Sequence, residues 1–166
     1  MINPPPVPDL LAELAAFRDY VALVAVDDAY NWAYRPSDAE WSLTEIACHL
    51  RDVEHEVHQA RYRALINGDG AFLPGVDADQ WAIPRNYRAQ NCPTAFSDFL
   101  SARDETIALL ATLPPEVWAR QGQHTYFGPT SLRELVYLAV QHDRVHRQQI
   151  EALIQQQSES EARDQA

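Results

Sequence analysis

The sequence predicts an all-α protein, a four-helix bundle in which a long crossover separates the second helix from the third. Four segments repeat apolar residues at helical spacings of three and four, and none shows the strict alternation of a strand. Two S-x-x-E capping boxes, at Ser42 and Ser131, mark helix starts. We expect an extended lead at 1–8, the bundle domain at 9–154 and a polar, disordered tail at 155–166.

Composition limits the classes of partner. The chain has 166 residues, 46% of them hydrophobic, which suits one domain with a sizeable core. Its 13 basic residues, all arginine, face 24 acidic ones, and the net charge of −11 disfavours nucleic acid and anionic lipid. It has neither a membrane-length apolar run nor signal-peptide features, and Cys48 and Cys92 are too few for a disulfide framework. We expect a cytoplasmic protein with no nucleic-acid or membrane partner.

The first predicted helix follows the proline-rich lead. Asp9 is the expected N-cap, because Pro8 should not be helical, and the apolar period from Leu10 fades near Asp27. The aromatic segment 29–40 contains a proline and is predicted to be a loop.

The second helix has the clearer start. Ser42 and Glu45 form the capping box, and His49 falls on the apolar stripe that follows it. At about 100° per residue, His55 and His58 are rotated roughly 240° and 180° from His49, which directs them towards solvent.

A long connection then leads to the third helix. Residues 68–93 contain too many glycines and prolines for a regular element, yet their aromatic residues indicate an ordered loop packed over the bundle: Phe72, Trp81 and Tyr87. The third helix should begin near Thr94 and end before Pro114.

The fourth helix carries the residues of greatest chemical interest. It should begin at Leu132, after the Ser131–Glu134 capping box. His142 and His146 fall on its apolar face, and an i, i+4 spacing lets two imidazoles converge on one cation. The alternative is that both are core histidines with hydrogen-bonded neighbours.

Three inward-facing histidines have a natural meeting point in such a fold. Bundle proteins often build metal sites from side chains on facing helices, and catalytic zinc sites use three protein ligands with one open position. His49 can join His142 and His146 only if the helices cross at the right height; otherwise it lies elsewhere along the bundle.

Two stretches resemble signatures of a known family. They are W-S-L-T-E-I-A-C-H-L at 41–50 and G-P-T-S-L-R-E-L-V-Y-L-A-V-Q-H-D-R-V-H-R-Q-Q-I at 128–150. Both are similar to the DinB-like (DinB/YfiT) superfamily of metal-dependent bundle proteins. The resemblance implies a four-helix bundle, often dimeric, with a divalent metal held by His49, His142 and His146. It also implies chemistry like that of thiol-dependent transferases and isomerases that use bacillithiol, mycothiol or glutathione.

Our leading hypothesis is a metal-dependent enzyme of the thiol S-transferase or isomerase type. The three histidines would hold Zn²⁺ or Ni²⁺, and a low-molecular-weight thiol would be the cosubstrate that attacks a small molecule. The alternatives are a metal-dependent hydrolase and a non-enzymatic stress-response protein that binds metal or a small ligand. For hydrolysis the acids nearest to the ligands in sequence are Glu45 and Asp143, although Glu45 is already a capping residue and Asp143 can equally be a solvated acid.

A homodimer is expected on two grounds. The resemblance favours it, and Tyr30, Trp32, Tyr34 and Trp41 supply more aromatic surface than one loop needs.

Three other residues have open roles. His124, in the loop before the last helix, can line the rim of the site or simply be exposed. Arg144 and Arg147 can meet an anionic substrate or belong to a solvated face.

Overall fold

The computed structural model describes residues 3–164. In chain order the elements are α1 (Val7–Ala25), α2 (Leu43–Val53), a π-helical segment (Glu54–His58), α3 (Gln59–Asn67), β1 (Phe72–Leu73), two 3₁₀ turns (Ala78–Trp81 and Tyr87–Ala89), α4 (Cys92–Ala111), α5 (Pro115–Trp118), β2 (Gln121–His124), β3 (Gly128–Ser131) and α6 (Leu132–Asp164). The long helices pack side by side, with α4 against α1 and α2, and α6 against α1. The structure is therefore a helical bundle with a small added sheet.

Helix α1 starts earlier than its sequence suggests. It begins at Val7, so Pro8 lies inside the first turn and Asp9 is a first-turn residue instead of the N-cap. Proline is tolerated there because the amide hydrogen it lacks would have no helical acceptor. The expected lead is thus two residues shorter, and Met1 and Ile2 lie outside the described residues.

Both predicted capping boxes are present. The amide of Glu45 donates to Ser42 Oγ at 3.3 Å, and the amide of Ser42 donates to the Glu45 carboxylate at 2.9 Å. At the start of α6, Glu134 and Ser131 exchange the same two bonds at 3.2 and 2.7 Å. Each cap stabilises its helix by about 1 kcal/mol, which fixes the starts of the two helices that carry the histidines.

The predicted second helix contains an unexpected turn. Its last five residues before α3, Glu54–His58, are π-helical, and a π-turn inserts one extra residue into the helical repeat. Residues beyond it are therefore rotated by about 100° relative to a continuous α-helix. The prediction that His58 faces solvent is wrong for this reason: His58 is 8% exposed. His55 is exposed, as expected.

A three-stranded sheet corrects the strand-free prediction. β1 pairs parallel with β2, and β2 pairs antiparallel with β3. A Cβ on Gly122 would lie 2.6 Å from the Ala71 carbonyl oxygen, so glycine lets the chain before β1 approach β2 closely. The sheet places His124 on its buried side.

The connection between α3 and α4 is partly anchored to the bundle. Tyr87 is fully buried, and its hydroxyl donates to Asp52 on α2 at 2.7 Å. Arg85 donates to the same carboxylate at 2.8 Å. Phe72, in contrast, is 70% exposed. Around Tyr87 this connection is ordered and packed on the bundle, as expected. Its description as a long crossover between bundle helices stays a prediction.

The aromatic residues near α2 pack on their own chain. All four are partly buried against the core formed by α1, α2, α4 and α6: Tyr30, Trp32, Tyr34 and Trp41. The homodimer stays a prediction. Val145, which the sequence places at the edge of the apolar face of α6, is 62% exposed.

Helix α6 extends to Asp164, where the sequence predicts a disordered tail from Gln155 onward. Side-chain bonds at a spacing of four support it, including Gln155 to Glu159 at 2.9 Å. Gln165 and Ala166, the last residues of that tail, lie outside the described residues. Within residues 3–164, no helix is both long and apolar enough to cross a membrane.

Candidate metal centre

Two helices bring three histidines together. His49 projects from the buried face of α2, and its ring contacts the Trp41 ring at a centroid distance of 5.1 Å. His142 and His146 project from successive turns of α6, with ring centroids 4.3 Å apart. The sequence left open whether His49 reaches the pair on α6, and the structure places all three in one cluster.

The three rings turn the same nitrogen towards one point. The Nε2 atom of His142 lies 3.1 Å from that of His49 and 3.0 Å from that of His146. One candidate ligand atom from each residue lies within 4.8 Å of the other two. Three imidazole nitrogens at such separations suit a divalent cation.

Burial keeps these rings neutral, which leaves their lone pairs free for a cation. Burial is the main reason that the pKa of His49 falls to about 3, and the nearby His146 and His58 lower it further. Burial likewise lowers the pKa of His142 and of His146, although a hydrogen bond to Gln149 partly opposes the shift in His146. Neutral imidazole is the form that binds metal.

Hydrogen bonding supports the same assignment. His146 Nδ1 lies 2.8 Å from Gln149 Oε1, which places the ring hydrogen on Nδ1 and leaves Nε2 as the lone-pair atom. The Nδ1 atoms of His49 and His142 are buried without a hydrogen-bond partner in the described part of the chain. Among the described residues, the hydrogen-bonding contacts of the three Nε2 atoms are only with one another. A shared cation would satisfy their lone pairs, so it fits the residues present.

A buried ionic network lies behind the triad. Arg103, on α4, is 1% exposed and donates two hydrogen bonds to Asp143 at 2.6 and 3.0 Å and one to Glu54 at 2.9 Å. Thr106 donates to the other oxygen of Glu54 at 2.5 Å. With both carboxylates ionised and His58 neutral, one guanidinium against two carboxylates leaves a net charge of −1 beside the histidines, which favours a cation there.

The acids that the sequence offered as bases are committed elsewhere. Asp143 is not solvated: it is 3% exposed and paired with Arg103. Glu45 is 4% exposed and holds the capping box together with an ion pair to Arg88. Neither lines the cavity beside the triad.

That cavity has a volume of about 310 Å³. His49 and His142 line it, and His142 is the least buried of the three histidines. Much of the wall is apolar. The apolar side chains that line it include Val53, Val57, Val76, Phe127, Leu135, Leu138 and Ala139. A ligand on the cation would therefore enter a pocket of small-molecule size.

His58 is the main addition to the site. Its Nδ1 lies 3.2 Å from Glu54 Oε2, its ring meets that of His142 edge-on at 5.4 Å, and it lines the cavity. The only sequence signal for it was its proximity to His49, because the π-turn that rotates it inward has no clear sequence signature.

His124 also lines the cavity, and it is buried, at 4% exposed. His124 lies at one end of a short hairpin, which Gly128, with φ +69°, closes after a loop of three residues. This short loop with its glycine is the sequence signal that could have predicted the position of His124. Arg144 and Arg147 lie elsewhere, in exposed ion pairs with Glu13 and Glu151.

A larger groove of about 690 Å³ lies between the N-terminal residues, α5 and the start of α6. Among residues 3–164, no histidine or cysteine lines this groove, so the described part of it offers no comparable metal-binding chemistry.

A solved structure has the same fold. YfiT from Bacillus subtilis matches with a TM-score of 0.78 at 16% sequence identity, over 91% of this chain and 87% of that chain. That protein is described as a probable metal-dependent hydrolase with an unusual four-helix bundle topology. The likeness confirms the predicted four-helix bundle.

No curated protein matches the sequence. A family profile, that of the DinB superfamily, matches residues 10–150, which include all three histidines. This confirms the resemblance seen in the two signature stretches. The chain belongs to the DinB superfamily.

Proposed function

We propose that this protein is a metal-dependent enzyme in which His49, His142 and His146 hold a divalent cation, Zn²⁺ or Ni²⁺, beside the 310 Å³ cavity. The observation that carries the proposal is the convergence of three neutral Nε2 atoms on one point. A cation bound there would lower the pKa of a coordinated thiol or water and so supply a nucleophile near neutral pH.

In the first candidate reaction, a low-molecular-weight thiol attacks an electrophilic substrate and is either transferred to it or catalyses its isomerisation. The family resemblance supports it, and so does the cavity wall. His142 faces the cavity, while valine and leucine side chains around it limit access of water and suit an apolar electrophile. A thiol needs no separate base once its pKa has fallen, which agrees with the commitment of Glu45 and Asp143 to other contacts.

The second candidate is hydrolysis, and His58 is the observation that favours it. The ring lines the same cavity as His142, and in its neutral form, with the Nδ1 hydrogen donated to Glu54, it has a lone pair on Nε2. Such a histidine can take a proton from an attacking water. The description of YfiT as a probable metal-dependent hydrolase points the same way for that protein.

Two assays on protein purified without chelator or affinity metal decide between them. The first measures zinc- or nickel-dependent conjugation of chlorodinitrobenzene with glutathione, bacillithiol or mycothiol. The second measures hydrolysis of 4-nitrophenyl acetate without thiol. His142→Ala is the variant that should lose either activity, and exposed His55→Ala is the control that should keep it.

Conjugation that depends on metal and on His142 supports the thiol reaction. Thiol-independent ester hydrolysis supports the second candidate, and His58→Ala should then reduce it. Absence of both activities with every thiol contradicts the enzymatic proposal and favours a non-enzymatic protein that binds metal or a small ligand.

A further inference from the structure

Besides the metal-site residues His49 and His142, three side chains that line the cavity beside the triad have unused hydrogen-bonding capacity. These are Arg61, Tyr62 and His124. Each has a buried polar atom without a hydrogen-bond partner among residues 3–164: Arg61 Nε, Tyr62 Oη and His124 Nε2. Buried polar groups are normally paired, and each one left unpaired costs about 1–3 kcal/mol.

Arg61 also lacks an acidic partner. Its Nη2 donates to the Pro74 carbonyl at 2.7 Å, yet within the described chain no carboxylate lies within 4.0 Å of its guanidinium. The cavity does contain Asp77 and Asp79, but Asp77 accepts a hydrogen bond from Gln80, and Asp79 lies 3.9 Å from His49. A partly buried cation without an anion is unusual in a chain with 24 acidic residues.

The other two groups are hydrogen donors. His124 Nδ1 accepts the Tyr126 amide at 3.2 Å, so the ring hydrogen of neutral His124 lies on Nε2. Tyr62 is 1% exposed, and burial raises its pKa well above the ordinary value, so its hydroxyl stays protonated. A cation and two neutral donors therefore line the same cavity.

We propose that Arg61, Tyr62 and His124 form a subsite for the carboxylate of a small anionic substrate. A carboxylate offers two oxygens in the plane that suits a guanidinium, and it supplies the acceptors that the two neutral donors lack. The apolar side chains that line the same cavity fit an apolar substrate body. The orientation rests on the proposed function: the far end of the substrate would lie at the triad, where the nucleophile attacks.

Calorimetric titration tests the subsite without relying on turnover. Benzoate, phenylacetate and hexanoate are each compared with the corresponding neutral amide. The proteins are the wild type, Arg61→Gln, Arg61→Lys and the control Arg63→Gln, which alters an exposed arginine on the same helix. His142→Ala is included because a carboxylate can also bind a metal ion directly. Circular dichroism confirms that each variant is folded.

At least one carboxylate should bind the wild type and Arg63→Gln equally well and in preference to its amide. Arg61→Gln should bind it at least about tenfold more weakly, as expected for the loss of a charged hydrogen bond, and Arg61→Lys should recover part of the affinity. His142→Ala should keep the preference for the carboxylate, which separates this subsite from the metal site.

Two results would overturn the proposal. One is that no carboxylate binds the wild type in preference to its amide. The other is that Arg61→Gln binds it as tightly as Arg63→Gln does. Neither result depends on whether the protein has enzymatic activity, so the subsite and the proposed reaction can fail separately.

Discussion

Replacing Arg103 with methionine should destabilise the protein strongly. Arg103 is 1% exposed, and its guanidinium forms ion pairs with two buried carboxylates, Asp143 and Glu54. Methionine keeps much of the apolar volume beside Phe99, whose ring centroid lies 5.0 Å from the guanidinium carbon. It leaves Asp143 without its cation and leaves Glu54 with only His58 and Thr106 as partners. Loss of one partner from a buried ion pair costs about 3–5 kcal/mol, and we expect a fall in the free energy of unfolding of that size.

The measurement is urea unfolding monitored by circular dichroism, with chelator present so that metal binding does not contribute. Arg18→Met is the matched control, because Arg18 pairs with Asp104 at 2.9 Å while the two side chains are 32% and 53% exposed. An exposed pair of this kind contributes less than about 1 kcal/mol.

The pH dependence gives a second check on the same variant. Burial raises the pKa of Glu54, but Arg103 and His58 outweigh it and hold the pKa below its usual range. In the wild type this carboxylate therefore contributes stability above its unfolded-state pKa and loses it as the pH falls. Without Arg103 the buried carboxyl group favours protonation, so the deficit of Arg103→Met should shrink between about pH 7 and about pH 5. A loss no larger than that of Arg18→Met, or a deficit unchanged by pH, would refute this reasoning.

Two further predictions concern the elements around the site. Gly122→Ala should lower the free energy of unfolding by about 1–3 kcal/mol, because its Cβ would lie 2.6 Å from a backbone oxygen, whereas Gly68→Ala, which meets open space, should change it little in the same urea assay. Asp52→Asn should weaken the hydrogen bond that anchors Tyr87. Burial raises the pKa of Asp52, but hydrogen bonds from two arginines and from Tyr87 outweigh burial and hold this pKa below its ordinary value. Its stability contribution is then present above the unfolded value of about 3.9 and lost as the pH falls below it, so the thermal midpoints of variant and wild type should differ at neutral pH and converge in acid.

The parts of the fold that follow from local rules were predictable. Ser42 and Ser131 start their helices through capping boxes whose bonds involve only neighbouring residues. The apolar period then fixes which face each helix buries, and this places His49, His142 and His146 inside. Residues three or four positions apart lie on the same helix face, so this assignment needs only the local sequence and no distant contacts.

The parts that depend on distant contacts were not predictable. The π-turn before Gln59 rotates His58 into the cavity. Glu54, the first residue of that turn, forms an ion pair with Arg103 from another helix. Asp143 follows His142 directly and faces away from it, yet it is buried because Arg103 meets it there. These pairings join residues roughly 40 to 50 positions apart, and periodicity carries no information about such partners.

The short sheet was missed for a related reason. Gln121–His124 and Gly128–Ser131 contain few β-branched or apolar residues, so neither segment alternates in hydrophobicity. Their pairing follows from the tight turn between them and from the close approach that Gly122 permits. Only the turn is visible in the sequence.

We propose that three histidines from two helices bind one metal ion. The most direct test is the zinc and nickel affinity of the purified protein, measured by competition with a chromogenic chelator. His49→Ala, His142→Ala and His146→Ala should each lower the affinity by more than about a hundredfold, because even loss of an outer-shell partner costs 10- to 100-fold. His55→Ala, at an exposed position on the same continuous run of helix as His49, should leave the affinity unchanged. If His49→Ala bound metal as tightly as the wild type while His142→Ala did not, the two-helix site would be contradicted.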